Sequence, residues 1–322
     1  MGSFIGHVAP GFGFFLIGLW HLYNHIRLHS KHPGAYESRP WFPASRVKYL
    51  ELFLIMFGCS LSVSMELFIG PDRHQPFDDD GTIPSNHLHN FEHSLISLSF
   101  FTYAAFAIVL DRASAVPGPA RFGLTNVLGA IAFGQQLLLF RLHSTDHMGV
   151  EGQYHLLLQV LILLSLSTTL LGTYLPRSFL LSFVRSGSIL FQGMWLMVMG
   201  FALWTPGLIP KGCYMNLEEG HKVVRCHSDE ALHRAKSLVN IEFSWFVILV
   251  TIFAVSLYLV LGNTHGHEAE YQSLIISDKE NQQQQRGGYD RDDERDDFEA
   301  QRKSFMFMGT SAKSYASSDM ER

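Results

Sequence analysis

Two pentapeptides carry the side chains best suited to chemistry. His89-Asn-Phe-Glu-His93 sets two imidazoles four residues apart with Glu92 between them, and His143-Ser-Thr-Asp-His147 repeats the pattern with Asp146. On a helix, positions i and i+4 share a face, so His89 and His93 project together with Glu92 beside them. Neutral imidazole plus carboxylate is the donor set that zinc, iron, copper or manganese selects, and zinc is typically four-coordinate. The order H-x-x-E-H also matches the inverted zincin pattern, in which the Glu is the general base. Glu92 or Asp146 is therefore the candidate base if the chain is a hydrolase. With 17 histidines in the chain, a five-residue match is weak by itself. The positions of these residues relative to the rest of the chain carry more.

Both pentapeptides sit at the edge of apolar blocks. The chain has 322 residues, of which 47% are hydrophobic and 16% charged. Blocks of about 20 apolar residues, the length that crosses roughly 30 Å of hydrocarbon as a helix, fall near 5–26, 49–69, 89–110, 122–141, 152–175, 184–204 and 240–261. This predicts an all-α, polytopic, seven-transmembrane-helix bundle over 1–262, with a long loop at about 205–239. The opening MGSFIGHVAPGFGFF lacks a basic n-region and runs into a full-length span, so the first helix is expected to be retained.

The Lys and Arg residues are expected at span ends, in connections and in the tail, because charge is costly in lipid. Nine of them (Arg27, Lys31, Arg39, Arg46, Lys48, Arg112, Arg121, Arg177 and Arg185) lie in one set of alternate connections, against Arg73 and Arg141 in the other set. The basic-rich side is expected to face the cytosol. That places the N-terminus in the lumen or outside the cell and the C-terminus in the cytosol. Cys213 and Cys226 then share a luminal loop, where an oxidising compartment permits a disulfide.

Residues 263–322 change character. They are polar and repetitive, with eight basic and thirteen acidic residues matching the formal net charge of −5. A disordered cytosolic tail is expected. The neutral membrane domain gives no electrostatic basis for nucleic-acid binding. Tyr271-Gln-Ser-Leu274 has the tyrosine-x-x-bulky form of adaptor-read sorting signals, so an adaptor at the tail is a candidate partner alongside membrane lipids.

With the N-terminus outside, the acids and histidines of six spans gather at one depth: His7, Glu66, His89, Glu92, His93, His143, Asp146, His147, His155 and Glu242. The expected metal ligands are His93, His143 and His155, with His7 or His89 completing the set, and zinc or another divalent ion as cofactor. Glu66, Glu92, Gln135, Asp146, His147 and Glu242 are expected around them as supporting groups. At the far side, Trp20, His21, His25 and their neighbours read as a headgroup-level belt.

At these residues the chain resembles the transmembrane protein 45 family. The likeness runs through Gly6-His7-x-x-Pro10-Gly11, Phe140-x-x-His143 on to Gln153-x-His155, and Arg185 with Phe191-Gln192-Gly193-x-Trp195. HNFEH and STDHMGVEGQYH point to its plant, viral-response-like branch. The resemblance implies a seven-helix protein of endomembranes or the plasma membrane with no established reaction, and His7, His143 and His155 match the family pattern. The function expected is binding, sensing or trafficking. Two alternatives stay open: a zinc-dependent lipid hydrolase, which analogy to other seven-helix hydrolases weakens because the last span lacks histidine, and a metal or proton transporter.

Overall fold

In the computed structural model, residues 3–71, 74–142, 149–218 and 221–264 are described, all within one unit, Met1–Gly266. Seven helices are long and apolar enough to cross a membrane. They are α1 (Phe4–Lys31), α2 (Leu50–Ser64, continued by a π-helical turn to Ile69), α3 (Leu88–Arg112), α4 (Gly118–Leu142), α5 (Gly149–Tyr174) and α6 (Phe179–Trp204), then α7 (Asp229–Thr264). This number, length and hydropathy fit an integral, multi-pass membrane protein, since helices satisfy their own backbone hydrogen bonds in lipid. Residues such as Phe57, Val109, Leu171 and Leu180 are exposed on the helix surfaces, as suits contact with hydrocarbon.

The helices outrun the spans expected from hydropathy. Lys31 and Arg27 continue α1, and α7 begins at Asp229 instead of near 240. The long connection is thereby shortened, and it is not irregular: β1 (Cys213–Glu218) and β2 (His221–Cys226) form an antiparallel hairpin with Cys213 paired to Cys226, which a disulfide joins. This hairpin is a departure from a purely helical reading. Arg225 reaches back to Glu218 at 2.8 and 2.5 Å.

The core is organised around α6, whose apolar stretch is 67% buried, more than that of any other helix. Helices α1 and α5 flank it, α4 packs on α5, and α3 links α4 to α2. On α6, Phe191 and Trp195 meet Phe243 of α7 at 5.0 and 4.9 Å between ring centroids. The α1–α6 contact is the tightest. A Cβ on Gly18 would sit 2.2 Å from the Leu190 nitrogen, and one on Gly193 would sit 2.2 Å from the Phe15 nitrogen. Small residues allow such close backbone approach, which drives helix association where lipid removes the hydrophobic difference.

One expectation about charge is corrected. Arg185 lies within α6, six residues after its start, and is 5% exposed. Its guanidinium is satisfied by hydrogen bonds described below, which is how a helix can carry a charge that lipid would not hold.

Candidate functional site

The end of the bundle that carries the hairpin is where α1, α3, α5 and α7 begin and α2, α4 and α6 finish. His7 stands one turn into α1, next to the N-cap Ser3, whose Oγ accepts from the Gly6 N–H at 3.0 Å. The Ser3 carbonyl is 3.0 Å from His7 Nδ1. A carbonyl can only accept, so Nδ1 carries the proton, and the lone pair of the neutral ring is on Nε2. The ring lies 4.7 Å from Trp204 at the end of α6 and 5.9 Å from His155 on the first turns of α5. His155 in turn lies 5.7 Å from Phe140.

A second constellation adjoins the first. α2 ends in a π-helical turn, Met65–Ile69, and such turns re-aim side chains and recur at functional positions. Glu66 in this turn faces α3: one oxygen is 3.1 Å from His93 Nδ1, and the other accepts from Asn90 Nδ2 at 2.8 Å. Nδ1 of His93 therefore donates to a carboxylate, as Nδ1 of His7 donates to a carbonyl. His93 and Glu66 are near enough to His7 to act on it through space, and His89 acts on Glu66 in the same way.

The predicted residues thus divide. His7, Glu66, His89, His93 and His155 meet at this end, drawn from α1, α2, α3 and α5. The rings of His89 and His93 are 6.2 Å apart at 79°, so the pair does not close on one point. Glu92 lies one residue before His93 and is half-buried. Glu242 on α7 accepts from the Tyr154 hydroxyl at 2.7 Å, which ties α7 to α5. Gln135 lines a groove between α3 and α4 with Leu95, Leu98 and Ser99; its neighbour Gln136 is the one turned inward, accepting from Gln192 Nε2 at 3.1 Å. His143, Asp146 and His147, and with them Tyr271 and Leu274, lie outside the described residues. Among the described residues no three His, Cys, Asp or Glu side chains converge as a metal ion would require.

Local pattern reading missed a network at the opposite end. His21 and His25 belong to no headgroup belt, since they are 5% and 0% exposed. Glu51 of α2 takes His21 Nε2 at 2.7 Å, Trp20 Nε1 at 3.0 Å and the Phe42 N–H at 2.8 Å. Arg185 approaches His25 Nε2 at 3.2 Å and donates to the Arg39 carbonyl at 3.0 Å and to Asn126 Oδ1 at 3.4 Å. The Tyr36 hydroxyl meets His25 Nδ1 at 2.8 Å. The segment 36–42 is thus pinned across this end, with Pro40 accepting from Tyr103 at 2.8 Å. The available signal was Arg185 and Glu51 themselves, ionisable residues inside or at the mouth of apolar spans.

Residues 122–259 match the family described as a family of unknown function, DUF716. That family is the transmembrane protein 45 family. The match takes in α5 and α6, including His155, Arg185 and Gly193.

Proposed function

We propose that the protein is a membrane-embedded, divalent-metal-binding protein of the sensing or trafficking kind, resident in endomembranes or the plasma membrane. Its hairpin end faces the lumen or cell exterior and its tail the cytosol. Zinc, or a metal of like donor preference, is the ligand.

The observation that carries this reading is the matched pair of oriented imidazoles. Ser3 holds the Nδ1–H of His7 and Glu66 holds that of His93. A ring nitrogen held by a carbonyl or carboxylate fixes the tautomer and makes the other nitrogen the ligating one, which is the usual arrangement behind metal-bound histidine. His155 beside His7 is the third imidazole we assign, and His143, which lies outside the described residues, is the fourth. Glu66 already serves His93 and Asn90, so it orients a ligand and does not act as a free base. The oriented rings favour binding over hydrolysis, and because the described residues do not bring three ligands together, binding requires a ligand from beyond them.

Zinc titration of the full chain in detergent tests this. Saturable binding that His7→Ala and His155→Ala each weaken by at least tenfold is expected, since removing a ligand leaves an incomplete coordination shell. Equal affinity in both variants and in the unaltered protein would end the proposal.

A further inference from the structure

The network at the Arg185 end obeys donor and acceptor rules that assign a proton to each ring. Arginine has five N–H donors and no acceptor. The 3.2 Å contact from Arg185 Nη2 to His25 Nε2 therefore requires a bare lone pair on that nitrogen. His25 is the neutral Nδ1–H tautomer, and it donates to the Tyr36 oxygen at 2.8 Å. Burial pushes the Tyr36 phenol above its ordinary range, so it remains a hydroxyl able to accept that bond. A second proton on His25 would point at a guanidinium.

His21 is placed in the opposite way. Its Nε2 lies 2.7 Å from Glu51 Oε1, and a carboxylate oxygen accepts, so Nε2 carries a hydrogen. Its Nδ1 is buried and has no hydrogen-bond partner among the described residues. Protonation there converts a hydrogen bond from a neutral imidazole to a carboxylate into an imidazolium–carboxylate pair. Glu51 from α2 and His25 on α1 contact the ring, and the other charged and titratable groups of the network are Arg185 from α6, Tyr103 from α3, and Tyr36 and Arg39 from the crossing segment. Among the described residues, Glu51 is the acidic group in direct contact with His21.

We infer that His21 and Glu51 form a proton-binding site, in which His21 Nδ1 takes up a proton from water with Glu51 as its counter-ion while Arg185 keeps His25 neutral. The site has a structural consequence. Glu51 also holds Trp20 of α1 and the backbone of Phe42, so its pairing with His21 bears on how α1, α2 and the crossing segment are joined. This site is at the other end of the bundle from His7 and His155, and it stands whether or not those residues bind metal.

The test is a pH series of the full chain with ¹⁵N-labelled histidine, read by magnetic resonance in lipid nanodiscs. His21→Gln and His25→Gln identify the two resonances. The expected result is that His25 stays in the Nδ1–H tautomer throughout, while His21 passes from the Nε2–H tautomer to imidazolium as pH falls. Glu51→Gln, which keeps shape and removes the counter-ion, should move His21 protonation to lower pH. A His21 that never gains a second proton, a His25 that titrates before it, or a midpoint indifferent to Glu51→Gln in folded protein would overturn the inference.

Discussion

Gly18 of α1 and Leu190 of α6 meet backbone to backbone, so closely that any Cβ at Gly18 would stand 2.2 Å from the Leu190 nitrogen. Gly193 and Phe15 repeat the relationship a turn away. The two contacts fix the antiparallel pairing of α1 with α6. They thereby set His7 beside Trp204 at one end and His25 beside Arg185 at the other. Both constellations of buried polar residues depend on this seam.

Widening the seam should therefore unfold more than it loosens. Gly18→Val and Gly193→Val are expected to cost about 1–3 kcal/mol or more, the range for overpacked interiors. Gly58→Ala, where nothing lies within 4 Å, should stay within about 0.5 kcal/mol of the unaltered protein. Thermal unfolding in detergent compares them. Equal melting temperatures for Gly18→Val and Gly58→Ala would contradict the packing described.

Arg185 holds three separate elements through His25, Asn126 and the Arg39 carbonyl. Arg185→Met should cost about 1–3 kcal/mol for each acceptor left buried without a donor. Arg185→Lys should recover only part of this, because one ammonium cannot reproduce the planar fork. The crossing segment reports the change: faster amide exchange at Ser38 and Phe42 is expected in Arg185→Met, and unaltered exchange would argue against the pinning role.

The hairpin is closed by a disulfide with a sequence separation of 13. A loop of that size corresponds to about 3 kcal/mol in the chain-entropy description. Reduction, or Cys213→Ser with Cys226→Ser, should release β1 and β2 while leaving the helical content measured by circular dichroism unchanged. Loss of helicity on reduction would show the hairpin to be holding the bundle, contrary to expectation.

Acid should act on the same hairpin. Hydrogen bonds from Arg225 hold the Glu218 carboxyl below its usual range. A carboxyl lowered in the folded state stabilises it above the unfolded pKa, and that stability is lost as pH falls through the folded value. The pair is half-buried at the surface of the hairpin, where solvent screens it, so the effect is small and salt-sensitive. Amide exchange in β1 should rise below about pH 4, and Glu218→Gln should remove the dependence.

Much of the fold was legible because a lipid-spanning helix must be about 20 apolar residues long, a constraint that block lengths report directly. The start of α7 was not. Its first residues, Asp229 to Val239, are mixed in polarity and continue the helix past the apolar block. The strands of the hairpin are six residues each and half polar, too short to stand out. At the hairpin end, shared depth was enough to gather His7, His89, His93 and His155. Depth could not foretell that Glu66 would turn toward α3 through a π-helical turn. The pairing of His21 with Glu51 joins residues thirty positions apart, and a reading based on neighbours in sequence leaves such pairs separate. Arg185 was assigned to a connection by a rule about lipid, whereas its surroundings are protein.

Whether the oriented imidazoles of the hairpin end hold a metal is read most directly from the metal content per chain of protein purified from membranes without chelator or added metal. Near-stoichiometric zinc or another divalent ion is expected, falling to background in the His7→Ala, His155→Ala double variant with the helical signal retained. Background metal in the unaltered protein, or equal metal in both, would contradict the account.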